Sequence, residues 1–142
     1  MSETSLARRV VNLMLDHDHF TRWMKMEVIS LDPGSCEIKM KVRKEMLNGF
    51  GIAHGSITYA LADSALAFAS NGLGHKCVSI DTQISHLYPC KESDVIVAVA
   101  REVNRSKSLR HYEVEIENQD NRLIAHFKGT VYIKNELWFP NE

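Results

Sequence analysis

The chain predicts an α+β fold, a mainly antiparallel sheet wrapped around one long central helix. The run from about Gly55 to Ser70 is Ala-rich, free of Pro and apolar nearly all round, as a buried helix would be. Two strand-like segments precede that run and four follow it. With 142 residues, 44% of them hydrophobic, the chain is long enough to build one core, and residues 1–142 are expected to form one domain.

The elements follow in order. From about Ser5 to Asp16 the pattern is an additional amphipathic N-terminal helix, with Leu6, Val10, Leu13 and Met14 on one face. Met26 to Leu31 and Cys36 to Val42 read as a hairpin around Asp32-Pro33-Gly34-Ser35. In the second strand, Cys36, Ile38, Met40 and Val42 alternate with Glu37, Lys39, Lys41 and Arg43. The loop Asn48-Gly49-Phe50-Gly51 leads into the central helix, about 55–70, and Asn71-Gly72-Leu73-Gly74 ends it. Four strands complete the chain: Cys77 to Tyr88, Asp94 to Val103, Ser108 to Glu117 and Arg122 to Lys134. Alternation puts Ser79 and Asp81 together on the face opposite Val78 and Ile80.

Between Glu45 and Lys76 one side chain is fully charged, Asp63, and it sits inside the apolar helix. A buried carboxylate is expensive unless it is paired, hydrogen-bonded or used in chemistry. Asp63 is therefore either a surface-facing acid or a site residue. Gly55 opens the same helix, so its N–H is among the unsatisfied donors there and the helix dipole adds positive potential. It is either an anion-stabilising donor or a helix-start glycine without a ligand.

Global composition narrows the rest. A net charge of −1 gives no sign of nucleic-acid binding, and no run is long and apolar enough for a membrane span. The first residues lack the basic-then-apolar order of a signal peptide. Cys36, Cys77 and Cys90 are odd in number and widely spaced, which suits free thiols in a reducing cytoplasm. The histidines lack metal-ligand spacing, so no metal is expected.

The joined motif Asn48-Gly49-Phe50-Gly51-Ile52-Ala53-His54-Gly55-Ser56, followed by Leu61-Ala62-Asp63-Ser64-Ala65, resembles a known pattern. So do Asn71 after Ala69-Ser70, and Val78-Ser79-Ile80-Asp81 followed by Pro89. The chain is similar, over about Met24 to Lys134, to the PaaI-like (phenylacetic acid degradation) acyl-CoA thioesterases of the hotdog fold. One departure is Ser56, where the family usually has a second Gly; it bears on the room left for the acyl group.

A thioester needs a polarised carbonyl, a positioned water, and a base or nucleophile. The resemblance gives the first role to the Gly55 N–H and the last to Asp63, as general base or as nucleophile. It implies that Asn48 holds the carbonyl or the water, with turn chemistry beside Gly49 as its other reading. His54 either donates to the thioester or is an ordinary hydrogen-bonded residue before the helix. Ser79 matches a serine that steadies the water, or simply faces solvent. Arg105, Lys107 and Ser108, at a basic hairpin tip, either contact the phosphates of coenzyme A or form a solvated turn. Tyr59, Leu61, Leu66 and Phe68 line an acyl pocket or fill core.

Gly55 and Asp63 are eight residues apart, hence about 12 Å along one helix. One thioester cannot touch both in a single chain. The site is therefore expected to be shared across a homodimer, two helices packing antiparallel about a two-fold. The resemblance implies the same arrangement, commonly assembled further into a homotetramer. The expected function is acyl-CoA thioester hydrolysis to free acid and coenzyme A, on an acyl or aryl-acetyl group. No cofactor is expected beyond the coenzyme A of the substrate. A hotdog enoyl-CoA hydratase or dehydratase, and a non-catalytic acyl-CoA-binding protein, are the alternatives.

Overall fold

The computed structural model describes residues 3–142. Two helices come first, α1 (Glu3–His17) and the short α2 (His19–Trp23), then strands β1 (Glu27–Asp32) and β2 (Ser35–Lys41). The long helix α3 (Gly55–Asn71) follows, then β3 (His75–His86), β4 (Val95–Arg105), β5 (Leu109–Glu117) and β6 (Leu123–Leu137). The strands form one antiparallel sheet in the order β1-β2-β4-β5-β6-β3.

The sheet's inner face packs on α3. From the helix come Leu61, Ala62, Ala65, Leu66, Phe68 and Ala69; from the strands come Ile38, Met40, Ile96, Tyr112, Val114 and Phe127. Ala98 and Ala100 leave room for the helix to approach β4. Gly129 does the same on β6: a Cβ there would lie 2.6 Å from a Leu66 methyl.

Two expectations need correcting. On α1 the buried residues are Ala7, Val10 and Val11, while Leu6 and Leu13 are only half-buried. The helix is rotated by about one position from the face assigned on its largest residues. Nor is α3 buried all round: Ala60, Asp63 and Ala67 form a half-exposed stripe that ends in exposed Ser56. The sequence reading also passed over α2. Its N-cap is Asp18, whose carboxylate accepts from the Thr21 N–H at 3.0 Å and from the Thr21 hydroxyl at 2.7 Å.

At the end of α3, Asn71 joins three segments. Its Oδ1 accepts from the Cys77 N–H and from the Trp138 indole N–H, each at 2.9 Å. Gly74, at φ +105, then turns the chain into β3. β3 is an edge strand, and its outer edge carries Val78 (44% exposed) and Ile80 (58% exposed).

Candidate active site

The start of α3 is built by its flanking loop. The His54 Nδ1 accepts from the Ser56 N–H at 3.1 Å, which caps the helix and leaves the proton of a neutral ring on Nε2. The Gly55 N–H makes no hydrogen bond among the described residues. It points out of the positive end of a helix of 17 residues. Upstream, the Asn48 Oδ1 accepts from the N–H groups of Phe50 (2.9 Å) and Ile52 (3.4 Å), and this shapes the loop. The Asn48 Nδ2 keeps its donors free of partners among the described residues.

Asn48 and Gly55 line one cleft of ≈ 380 Å³, together with Thr58, His86, Tyr88 and Ile124. His86 had not been singled out from the sequence. Its Nε2 lies 3.1 Å from where a Cβ on Gly55 would be, so the imidazole occupies the space a larger residue would take. The signal available was position: His86 pairs with buried Ala125 and so faces inward.

Asp63 lies two turns further along α3 and lines a different cleft, of ≈ 310 Å³. It is half-buried and makes no hydrogen bond or ion pair among the described residues. Burial pushes its carboxyl pKa up from the ordinary aspartate value. Ser79 lines the same cleft.

The register explains how Ser79 gets there. Ser79 pairs with buried Val131, but Asp81 pairs with Thr130, so Ile80 is an extra residue in β3. This bulge resets the alternation. Ser79, though exposed, borders the Asp63 cleft, whereas the exposed Asp81 lies on the other face among Gln83, Lys128 and Thr130. The expectation that Ser79 and Asp81 share a face is thus wrong.

His54 and the residues of the β4–β5 turn stand apart from both clefts. His54 is exposed and turned to the helix start. Arg105, Lys107 and Ser108 are exposed where β4 turns into β5, and Arg105 donates to the Glu102 carboxylate at 2.6 and 2.7 Å. Of the four candidate lining residues, Leu61, Leu66 and Phe68 are core, though Leu66 also borders the Asp63 cleft. Tyr59 is half-buried, packs edge-on against Phe127, and its hydroxyl hydrogen-bonds Thr82. Cys36, Cys77 and Cys90 are free thiols; burial pushes Cys36 and Cys90 up to about 12, far from reactive thiolates.

The helix-start donor, the loop amide and the half-buried acid sit on a sheet-and-helix frame, and residues 50–125 of that frame match the description of the thioesterase superfamily. The chain belongs to the thioesterase superfamily. Among thioesterases it is similar to the acyl-coenzyme A thioesterase PaaI of Escherichia coli, 33% identical over 116 residues, which are 82% of this chain and 83% of that one. The acyl-coenzyme A thioesterase 13 of Homo sapiens is 31% identical over 94% of this chain and 99% of its own length. The solved structure of the E. coli PaaI protein from the phenylacetic acid degradation operon superposes with a TM-score of 0.93. It covers 96% of this chain and 99% of that chain at 29% identity. The hotdog fold expected of this thioesterase is therefore the fold observed.

Proposed function

We propose that the protein hydrolyses an acyl-CoA or aryl-acetyl-CoA thioester in a homodimer. The carrying observation is the division of the site. The free donors of Gly55 and Asn48 line one cleft, and Asp63 with Ser79 lines another. No single chain offers both to one carbonyl, because Gly55 and Asp63 are about 12 Å apart along α3.

A two-fold that packs α3 antiparallel on its copy brings the Gly55 cleft of one protomer against the Asp63 cleft of its partner. Two features support such an interface. The half-exposed stripe of α3 carries small residues, Ser56, Ala60 and Ala67, around Asp63. β3 is a long edge strand with exposed Val78 and Ile80, the kind of edge that pairs with another chain. The two sites of the dimer are equivalent.

In each site the Gly55 N–H polarises the thioester carbonyl, and the Asn48 amide donates to the carbonyl or to the water. Asp63 takes a proton from that water as it attacks the carbonyl carbon, or attacks the carbon itself and yields an anhydride that water then opens. Either way the C–S bond breaks and coenzyme A leaves as the thiolate, which takes its proton from Asp63 in the first case and from solvent water in the second, and the acid is released. Ser79 steadies the water. The His54 Nε2–H is a further donor at the rim. Arg105, Lys107 and Ser108 contact the phosphates of coenzyme A, Arg105 by exchanging its bond to Glu102. No cofactor enters; coenzyme A arrives as part of the substrate. Pairs of dimers assemble as a tetramer. The three free thiols suit a cytoplasmic setting. Among the described residues no helix is long and apolar enough to cross a membrane.

The test is thiol release from a panel of acyl-CoAs by purified protein. Release that depends on Asp63 supports the reading. Hydration of an enoyl-CoA with no free thiol, or tight binding without turnover, overturns it.

A further inference from the structure

The cleft that holds Asp63 is lined at one end by residues outside the stretch matched by the family. Trp138, from the segment after β6, and Met14, from α1, both line it, whereas the family match covers residues 50–125. Between Asp63 and this end the lining is mostly hydrocarbon, with Leu66, Ala67 and Val131 among it.

Trp138 is held from three sides. Its indole N–H donates to the Asn71 Oδ1 at 2.9 Å, and its backbone N–H donates to the Gly74 carbonyl, also at 2.9 Å. The Lys76 ammonium lies 5.6 Å from its ring centroid. A side chain pinned in this way is a wall rather than a flap.

The polar groups of Asn71 and Ser70 at this end are already hydrogen-bonded. The Asn71 Oδ1 accepts two bonds, and its Nδ2 donates to the carbonyls of Ala67 (2.9 Å) and Cys77 (3.2 Å). The buried Ser70 hydroxyl donates to the Leu66 carbonyl at 2.8 Å. A hydroxyl on the far end of a ligand would give up water and find only the buried Ser70 oxygen left to accept from it. An apolar cavity of about 150 Å³ admits a benzene ring. The half-open cleft here, of ≈ 310 Å³, has room for an aryl ring with its methylene link or an aliphatic chain of like bulk.

Resting on the thioesterase reading above, we propose that Trp138, pinned by Asn71, is the end wall of the acyl pocket, so that the site takes a compact hydrocarbon acyl group without a polar substituent at its far end.

The experiment compares kcat/KM for hexanoyl-, hexadecanoyl-, phenylacetyl- and para-hydroxyphenylacetyl-CoA in the full-length protein and its variants. The wild type is expected to favour phenylacetyl over its hydroxylated analogue, and hexanoyl over hexadecanoyl, each by about tenfold or more. Trp138→Ala should raise the hexadecanoyl-to-hexanoyl ratio by about tenfold, whereas Trp138→Phe should keep the wild-type order. If Trp138→Ala does not fold, Met14→Ala, which shortens the other side chain at this end, decides the matter. It should likewise raise the hexadecanoyl-to-hexanoyl ratio. An unchanged chain-length ratio in folded Trp138→Ala or in Met14→Ala, or equal rates with the hydroxylated analogue, overturns the end wall while leaving hydrolysis standing. No thiol release by the wild type from any acyl-CoA overturns the hydrolase itself, and the end wall with it.

Discussion

Asp63 is unpaired among the described residues and only half-buried, so solvent loss acts on its charge with nothing nearby to offset it. Burial raises its folded pKa above the unfolded value, and this fixes the sign of two effects. The stability that its neutral form provides is fully present below the unfolded pKa and is lost as pH rises through the folded pKa. Asp63→Asn is neutral at every pH, so it should melt at a higher temperature than wild type at neutral pH, and the gap should close in acid. The same substitution should lower kcat by about 10²- to 10⁴-fold, the usual contribution of a positioned base. A variant both more stable and inactive is the signature of a site residue; unchanged activity in thiol-release assays would remove Asp63 from the mechanism. In the proposed mechanism the carboxylate is the working form, so wild-type kcat/KM should fall on the acid side with an apparent pKa above the ordinary aspartate value of about 4. A pH–rate profile without such a limb would count against it. What was legible in the sequence is the solitude of this charge, since no other full charge interrupts residues 46–75. The isolation of Asp63 from Gly55 and Asn48 was legible only as helical rise; the two clefts that embody it require the folded chain.

The strands were readable because alternation is a local pattern. Cys36, Ile38, Met40 and Val42 are all buried, as the period of two requires. The bulge at Ile80 was not readable, because nothing in Val78-Ser79-Ile80-Asp81 distinguishes an extra residue from a regular one. It is set by pairing with β6, and this change of phase midway along β3 leaves Ser79 on the border of the Asp63 cleft and Asp81 on the other face. Arg110 illustrates a pattern that was present but not used. It lies in phase with Tyr112, Val114 and Ile116 and is buried with them, donating to the Ser70 carbonyl in the last turn of α3 at 3.0 Å. Gly129 gives the clearest test of how closely α3 and β6 meet. A methyl there would fall 2.6 Å from one Leu66 methyl and 3.1 Å from the Phe127 ring. Gly129→Ala should therefore destabilise the fold by about 1–3 kcal/mol, the range for overpacking, measured by urea unfolding. A neutral or stabilising result would show that Leu66 can move aside, and with it the wall of the Asp63 cleft.

At the scale of the whole molecule the decisive property is incompleteness. One chain carries each part of the proposed chemistry, but in two clefts that a single thioester cannot span. The fold accounts for this: a helix wrapped on one side by a sheet leaves its other side as a seam, and here that seam carries small residues and the acid. Sharing of the site between chains can be tested without a structure of the dimer. Asp63→Asn chains lack the acid, and Gly55→Pro chains lack the N–H at the helix start, so each homodimer should be inactive. In a mixed dimer of shared sites, one site receives both lesions and the other receives neither. Random exchange at equal concentrations makes about half of the dimers mixed, with one good site in each, so thiol release should recover to about a quarter of the wild-type rate per chain. Proline is tolerated in the first turn of a helix, and circular dichroism of Gly55→Pro establishes that α3 still forms. If each site instead lay within one protomer, every chain in the mixture would still carry a damaged site. Activity would then stay at the level of the inactive parents even with heterodimers confirmed by native mass spectrometry, and the shared site would have to be abandoned.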